Sequence, residues 1–273
     1  MRRSLLNLVV PLTLAMTMLL LGGCGSRAKR WLVFDKGPMA EAIAVDVDSF
    51  RGPVTVIADP EIPNVVIRAQ LRAFNDVRDS RGNVVYPYGD SPTLDLIDVT
   101  AEIEQDEHGH GVLRVNSSTR FAYPDDQFVR LMVYVPRVDG VRVHTVDGNV
   151  DLVNVRGAVT VVADNGNVIV RTDKPVVHPV DINAVNGSIE YRVKEDSHGV
   201  YDVEAVNGRA DFLGYKGLAN IQQRGPSQYI ATLGDGVNPV SLRATNGNVK
   251  IVITEDPVPL GFLQTHTWMF LKR

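Results

Sequence analysis

Three carboxylates in the second half of the chain share one position in a repeated pattern. Asp151, Glu190 and Asp211 each stand three residues after the glycine of an Asp-Gly or Asn-Gly pair. Paired carboxylates perform acid/base cleavage of polysaccharides, and a shared offset would place these three on one outer face. Ile169 interrupts the row, and outward charges also serve solubility. A polysaccharide-processing enzyme is therefore an alternative, and we predict a protein that is not an enzyme and has no catalytic residues.

One short segment has the residue types of a metal site. His108 and His110 stand beside Asp106 and Glu107 in a glycine-rich stretch. Imidazole and carboxylate ligands suit zinc or copper. Two histidines one residue apart seldom converge on one ion without a third, distant ligand. A solvated turn is the favoured interpretation, and we predict no metal and no cofactor.

The first residues have the organisation of an export signal. Arg2 and Arg3 precede an apolar run over residues 5–21. A charged start, an apolar middle and small residues before a cleavage point are typical of a secretory signal peptide. An uncleaved transmembrane anchor is the alternative, since the run approaches the length of a bilayer span.

The chemistry predicted at the end of this segment is lipidation. Leu21, Gly22 and Gly23 precede Cys24, which is the only cysteine of the chain, so no intramolecular disulfide can form. This ending resembles the lipobox of bacterial lipoproteins. The resemblance implies a lipoprotein signal peptide over residues 1–23 and a diacylglycerol thioether on Cys24, which becomes the membrane-anchored N-terminus.

The charge balance narrows the range of partners. The chain has 28 Lys and Arg against 32 Asp and Glu, a net charge of −4, and removing residues 1–23 deletes two arginines and no acid. A mildly acidic surface argues against nucleic acid or anionic phospholipid as the main partner. Arg27, Lys29 and Arg30 are an exception beside Trp31, close to the predicted anchor, where lipid headgroup contact is expected.

The elements that would position these residues form an internal repeat. Each copy contains an Asp-Gly or Asn-Gly pair, which tolerates a positive φ and predicts a corner, followed by an alternating apolar strand. The corner glycines are separated by 18, 21, 21 and 39 residues, and the last step is close to two periods with one degenerate copy. A period near twenty predicts stacked coils. The predicted corner glycines are Gly148, Gly166, Gly187, Gly208 and Gly247.

The predicted corners imply how replacing their glycines should change the stability of the fold. If Gly187 has a positive φ, a β-branched replacement costs about 1–2 kcal/mol and Asn is better tolerated. Asn-Gly is also a strong hairpin signal, so a meander of hairpins is an alternative. The nearly fixed period and the apolar pair that follows each corner favour coils. The predicted inward pairs are Val150 and Leu152, Val168 and Val170, Ile189 and Tyr191, Ala210 and Phe212, and Val249 and Ile251.

The residue before each corner glycine would stack on its equivalent in the next coil. We predict a ladder of side-chain amides along this file. Calcium binding is the alternative, but one Asp among four Asn offers too few carboxylates. The file consists of Asp147, Asn165, Asn186, Asn207 and Asn246.

Three segments resemble a known family. Residues 51–56 (Arg-Gly-Pro-Val-Thr-Val), the alternating strand over residues 128–136 and residues 143–152 resemble the bacterial putative-adhesin domain family of envelope β-solenoids. The resemblance implies an all-β fold, a single-stranded right-handed β-solenoid (β-helix) with coils of roughly 20 residues, over residues 41–256. It brings no catalytic residues.

The predicted organisation has four parts. A signal peptide over residues 1–23 and a lipidated tether over 24–40 precede the solenoid, and a C-terminal cap over 257–273 follows it. A loop excursion over residues 75–92 departs from the compact pattern, and Tyr86 and Tyr88 make it the candidate binding loop.

The predicted function follows from these parts. We expect a non-enzymatic envelope lipoprotein, anchored by its N-terminal lipid at the outer membrane or facing the periplasm. It would act in adhesion or as a surface or periplasmic scaffold, with an envelope protein or a glycan as ligand. Besides the enzyme, the alternative is an envelope-stress component that recruits a partner protein.

Overall fold

The chain folds entirely from β-strands connected by turns and loops. Two short 3₁₀ helices, Pro92–Leu96 and Pro124–Asp126, interrupt them, and no α-helix occurs among the residues that the structure describes. The predicted all-β class is confirmed. The computed structural model describes residues 28–39, 41–73, 92–122, 124–214, 219–223 and 225–259.

Nineteen strands are present in these ranges. The first ten are β1 (Ala28–Pro38), β2 (Ile43–Ser49), β3 (Val54–Ala58), β4 (Asn64–Ala73), β5 (Ile97–Gln105), β6 (Gly111–Thr119), β7 (Gln127–Val135), β8 (Val138–Asp147), β9 (Val150–Val153) and β10 (Arg156–Asn165). The others are β11 (Val168–Arg171), β12 (Val180–Asn186), β13 (Ile189–Val193), β14 (Gly199–Ala205), β15 (Ala210–Leu213), β16 (Ala219–Gln223), β17 (Gln228–Leu233), β18 (Pro239–Asn246) and β19 (Val249–Ile253).

The strands form two sheets that enclose one core. Sheet 1 has the order β1-β4-β7-β3-β9-β11-β13-β19-β15, and sheet 2 has the order β16-β17-β14-β18-β12-β10-β8-β2-β6-β5. The central strands of both sheets are parallel, whereas β1, β4, β5, β16 and β17 pair antiparallel with neighbours at the ends. The chain passes repeatedly from a strand of sheet 2 to a strand of sheet 1, and we call each such pair a coil. The result is a β-solenoid-like stack.

The coils do not stack in chain order. The last coil, β18–β19, lies between β12–β13 and β14–β15, so the corner at Gly247 precedes the corner at Gly208 in space. The predicted degenerate copy between these two glycines is therefore wrong. Strands β16 and β17 instead form an antiparallel pair that continues sheet 2 beyond β14. At the other end, β2–β3 is similarly enclosed between β6–β7 and β8–β9.

Alternating apolar residues fill the space between the sheets. All ten residues of the predicted inward pairs are buried, and Phe212 is the most exposed of them at 7%. Burying each large aliphatic side chain contributes about 1.5–3 kcal/mol, so the stack is stable without disulfides. Near its C-terminal end, the Tyr201 ring packs edge-on against Phe212 (centroids 5.9 Å apart) and lies 6.3 Å from Tyr191. Burial raises the pKa of both tyrosines.

Two short segments outside the sheets pack against the stack. At the N-terminal end, Leu94 of the first 3₁₀ helix is fully buried in the core, and Arg30 binds Asp95 beside it (2.7 Å). At the C-terminal side, residues 257–259 cross the outer face of sheet 1. Arg192 Nε donates to the Pro257 carbonyl (2.9 Å). The C-terminal cap predicted for residues 257–273 stays a prediction, and residues 260–273 lie outside the described residues.

Candidate functional site

The corner glycines form one continuous file along an edge of the solenoid, here called the glycine edge. Each lies between a strand of sheet 2 and a strand of sheet 1. A Cβ added to Gly187 would lie 1.9 Å from the carbonyl oxygen of Gly166, and one added to Gly247 would lie 2.0 Å from that of Gly187. The coils therefore touch through bare backbone, at a separation that admits only glycine.

The predicted reason for these glycines was wrong at four of the five corners. Gly166 has a φ of 149°, but no positive φ occurs at Gly148, Gly187, Gly208 or Gly247. Because Gly187 has no positive φ, the expectation that Asn is tolerated there loses its basis. Any side chain meets the same carbonyl, whatever φ it prefers. Close backbone approach, rather than a left-handed conformation, selects glycine here.

The predicted amide ladder is confirmed on one side of the glycine file. Asn207 Nδ2 donates to Asn246 Oδ1 (2.9 Å), and Asn246 Nδ2 donates to Asn186 Oδ1 (2.8 Å). Asn186 Nδ2 then donates to Asn165 Oδ1 (2.9 Å). Asn165 completes the run by donating to the Val146 carbonyl (3.1 Å). The ladder follows the spatial order of the coils, so Asn246 stands inside Asn207.

A second ladder on the other side was not predicted. Asn149 Oδ1 accepts from the Asn167 backbone N–H (2.8 Å), and Asn167 Oδ1 accepts from Ser188 N–H (2.8 Å). Ser188 Oγ and Asn248 Oδ1 continue the series toward Arg209 N–H. The signal was in the sequence, because the residue after the corner glycine is Asn, Asn, Ser and Asn in four copies.

Both ladders hold the side-chain amides at the corners in hydrogen bonds to neighbouring coils. Asp147, at the start of the file, binds Arg51 Nε (3.1 Å), and Arg51 also binds Asp125 (2.6 Å). Within the described ranges, no group of three or more His, Cys, Asp or Glu side chains is placed to hold a metal ion.

The three carboxylates of the alternative enzyme site lie on the outer face of sheet 1 in one row. Ile169 separates Asp151 from Glu190, and Lys250 separates Glu190 from Asp211. Strands stand about 4.8 Å apart, so neighbouring carboxylates in this row are roughly 10 Å apart.

Each of these carboxylates also has a cationic partner. Arg171 binds Asp151 through two nitrogens (2.7 and 3.1 Å). Arg192 binds Glu190 (3.0 Å), and Asp211 accepts from Arg209 (2.7 Å). Each of the three carboxylates is therefore charge-balanced by an arginine close to it.

The histidine segment is the turn between β5 and β6. Asp106 Oδ1 accepts from the backbone N–H groups of His108 (2.9 Å) and His110 (2.8 Å). These hydrogen bonds, that of His110 first, lower the pKa of the Asp106 carboxyl. The carboxylate therefore closes the turn, in line with the favoured interpretation of a solvated turn.

Cavities lie at both edges of the stack. One of about 580 Å³ is lined by Arg51, Gly52, Gly148 and Gly166 at the glycine edge. Two others lie at the edge opposite the glycines. One, of about 340 Å³, lies beneath residues 174–178 and reaches Tyr191. A second, of about 640 Å³, extends from Pro60 past Pro136. The two share Arg156, Lys174 and His178.

Several predicted functional residues lie outside the described residues. These are Cys24 with the lipobox residues Leu21, Gly22 and Gly23, and the loop tyrosines Tyr86 and Tyr88. The chain enters and leaves the 75–92 excursion at the N-terminal end of the stack, between β4 and the 3₁₀ helix at Pro92–Leu96. Among the helices of the described part, none has the length and apolarity needed to span a bilayer.

The two sheets form a β-solenoid-like stack, and a family model matches part of the chain. Residues 137–252 match the family model Toastrack DUF4097. The predicted recognition of a putative-adhesin domain family is confirmed for this part of the chain. No curated protein is significantly similar to the chain in sequence.

Comparison with solved structures finds similar chains at low sequence identity. A putative cell adhesion protein from Clostridium sporogenes ATCC 15579 superposes with a TM-score of 0.52 at 12% identity, over 83% of this chain and 100% of that chain. A putative adhesin from Bacteroides fragilis NCTC 9343 has a TM-score of 0.31 at 12% identity, over 82% of this chain and 97% of that chain. A putative adhesin from Parabacteroides merdae ATCC 43184 has a TM-score of 0.28 at 9% identity, over 84% of this chain and 98% of that chain. The first of these establishes the shared fold.

Proposed function

We propose that the protein is a non-enzymatic lipoprotein of the cell envelope, anchored by acylation of Cys24, that acts in adhesion or as a surface or periplasmic scaffold. The body is proposed to be a right-handed single-stranded solenoid with coils of about 20 residues. The steps of 18 and 21 residues between Gly148, Gly166 and Gly187 support that winding.

One observation supports a scaffold over an enzyme. The polar groups that could have formed a site on the regular part of the molecule are already engaged with one another. The amides at the glycine edge bond from coil to coil, and Arg171, Arg192 and Arg209 bind the three carboxylates of sheet 1. A general acid and base need carboxyl groups that are available to the substrate.

Recognition is proposed to reside in the irregular segments. A rigid stack positions loops, and binding residues are concentrated on such loops. The 75–92 excursion has the unusual composition, with Tyr86 and Tyr88, and it leaves the stack at the same end as β1. An envelope protein or a glycan is the proposed ligand class.

Two variants separate adhesion from enzymatic turnover. Replacing Tyr86 and Tyr88 by Ala should reduce capture of envelope proteins or glycans and leave the melting temperature nearly unchanged. The combined Asp151→Asn, Glu190→Asn and Asp211→Asn variant should keep full capture. Normal binding by the loop variant, together with loss of polysaccharide turnover in the carboxylate variant, would show that the protein is an enzyme.

The anchor has its own test. A Cys24→Ser variant should lose incorporation of labelled fatty acid and should keep its N-terminal segment. Cys24 is the single thiol of the chain, so the label has one cysteine to occupy. Persisting label on the variant, or an intact N-terminus on the wild type, would contradict the lipoprotein assignment.

A further inference from the structure

The outer face of sheet 1 changes character at the N-terminal end of the stack. On β1, β4 and β7, the cross-strand neighbours on this face are Lys29 with Arg72, Trp31 with Gln70 and Val33 with Arg68. Arg130 of β7 is the cross-strand partner of Gln70 of β4. We call this surface the basic face, defined by Lys29, Trp31, Val33, Arg68, Arg72 and Arg130.

The basic face combines cations with exposed apolar side chains. Trp31 is 51% exposed and Val33 is 61% exposed, although both lie in a strand. Arg72 lies over the ring of Phe128, with its guanidinium carbon 5.4 Å from the ring centroid. Arg68 lies over the ring of Tyr134 in the same way, at 5.8 Å. Aromatic rings under the guanidinium groups hold the charges close to the plane of the sheet.

Acidic residues are scarce on this face. Among the outward residues of β1, β4 and β7, all within the described ranges, Asp35 is the one carboxylate. It lies at the end remote from Lys29 and accepts hydrogen bonds from Gly37 N–H (2.8 Å) and the Asn64 side chain (3.2 Å). Four cations thus share one surface in a chain whose net charge is −4.

The rest of the same sheet lacks this imbalance. On β9 to β15 the outward cations alternate with acids, as in the pairs Asp151–Arg171 and Glu190–Arg192. A mixed face is expected of any solvated sheet. A face with one sign of charge and exposed Trp requires a specific explanation.

The predicted anchor attaches at the border of the basic face. β1 begins at Ala28, four residues after Cys24. Four residues of extended chain span at most about 14 Å, which is less than the thickness of the headgroup region plus one strand layer. A lipid on Cys24 therefore keeps Lys29 and Trp31 close to the membrane surface.

We propose that the basic face docks on an anionic phospholipid surface, so that the solenoid lies on the membrane with sheet 2 facing away. This inference rests on the proposed acylation of Cys24. Lys and Arg side chains are attracted to anionic headgroups, and Trp is favoured at the boundary between headgroups and acyl chains. Docking would fix the orientation of the solenoid relative to the membrane.

The test uses the mature lipoprotein in vesicles of phosphatidylcholine, with or without phosphatidylglycerol. Since Cys24 is acylated, an introduced thiol can be labelled alone with a fluorophore. Met132→Cys reports on the basic face, and Thr160→Cys reports on the outer face of sheet 2. A nitroxide on the lipid headgroups should quench the first label, only with phosphatidylglycerol present, and leave the second unaffected.

A charge variant and a matched control sharpen the result. Replacing Arg68, Arg72 and Arg130 by Gln should lower the ratio of docked to undocked protein by roughly 100-fold, as the loss of three headgroup attractions implies. The same replacement at three cations of sheet 2 should leave quenching unchanged. Those control positions are Arg114, Arg142 and Arg243, which are all more than half exposed.

Flotation of the vesicles separates this inference from the anchor. Protein that floats but shows equal quenching on both faces, or quenching independent of phosphatidylglycerol, overturns the docking face and leaves the anchor intact. Protein that fails to float by itself contradicts the anchor, while quenching of the Met132 label by added anionic vesicles would still support the face. A label signal that depends on protein concentration rather than lipid assigns the face to a second copy and overturns the proposal.

Discussion

The two edges of the solenoid connect the same two sheets in different ways. At the glycine edge, β8–β9, β10–β11, β12–β13 and β18–β19 are each joined by two residues, and neighbouring corners touch through backbone. At the opposite edge the connections vary, from two residues between β9 and β10 to eight between β11 and β12. The glycine edge repeats the two-residue connection at four of the five predicted corners, whereas four residues join β14 to β15 at Gly208. The connections at the opposite edge vary more in length, and two cavities lie there.

The difference arises from where the hydrogen bonds go. Corner N–H groups donate to the next coil, as Gly166 does to the Asn186 carbonyl (3.0 Å) and Gly148 to the Asn165 carbonyl (2.7 Å). Contacts of this kind fix the distance between coils and tolerate no added atom. The connections at the opposite edge are stabilised by individual contacts, so each can differ in length without disturbing the stack.

The largest effect is expected at the glycine edge. Gly187→Ala and Gly187→Asn should each destabilise the fold by about 3 kcal/mol, because both place a Cβ against the Gly166 carbonyl. Thermal or denaturant unfolding measures the change. Gly225→Ala is the matched control, since nothing lies within 4 Å of its added Cβ, and it should stay within about 0.5 kcal/mol of wild type. Tolerance of Asn but not Ala would restore the positive-φ explanation.

A smaller loss is expected at Arg171, near the opposite edge. Its side chain is only 8% exposed, and it binds Asp151 and donates to the Val258 carbonyl (2.8 Å). Arg171→Gln should cost about 2 kcal/mol, because it removes the cation of a largely buried pair and loosens residues 257–259. Arg209→Gln, at a 75% exposed partner of Asp211, should cost less than about 0.5 kcal/mol in the same denaturation experiment. Equal losses would mean that burial of Arg171 does not matter.

The amide ladder should contribute less than the glycine file. Asn186→Ala removes one donated and one accepted ladder bond, and a loss of about 1 kcal/mol is expected. Asn183→Ala is the control, since its side chain bonds only to Asp181 of its own strand, and it should be nearly neutral. A neutral Asn186→Ala variant would leave the glycine contact alone as the determinant of this edge.

The buried tyrosines give the smallest effect at neutral pH. The Tyr201 hydroxyl is buried with no hydrogen-bond partner among the described residues. Tyr201→Phe should therefore change stability by no more than about 1 kcal/mol, in the stabilising direction. Folding raises the pKa of Tyr201 by burial, so its contribution is complete below about pH 10 and is lost as the pH rises further. Unfolding titrated to alkaline pH should show a weaker decline in the variant, and an unchanged decline would contradict this account.

Much of the regular architecture could be predicted from the sequence. Alternation gave the inward pairs, such as Ile189 and Tyr191, and the residue before each glycine gave the ladder, because both depend on local period. The order of coils could not be predicted. It depends on whether β16 and β17 form a coil or an antiparallel pair, and that choice is made by pairing with β14 rather than by local pattern.

The physical role of the corner glycines could not be predicted from the sequence either. Asn-Gly indicates a turn in either of two ways, by positive φ or by close approach, and only the distance between Gly187 and Gly166 separates them. The basic face was only partly predictable. Lys29 and Trp31 follow the predicted lipidation site Cys24 closely in sequence, but Arg68 and Arg130 join them through cross-strand pairing.

Native-state hydrogen exchange at the glycine edge tests the central claim, that this edge is a rigid scaffold, most directly. The backbone N–H groups of Gly148, Gly166 and Asn167 donate from coil to coil, so they should exchange only through global unfolding, as slowly as core strand amides such as Val161. Exchange at these corners at the rate of open loops, while Val161 stays protected, would show that the coils separate locally and would contradict the account.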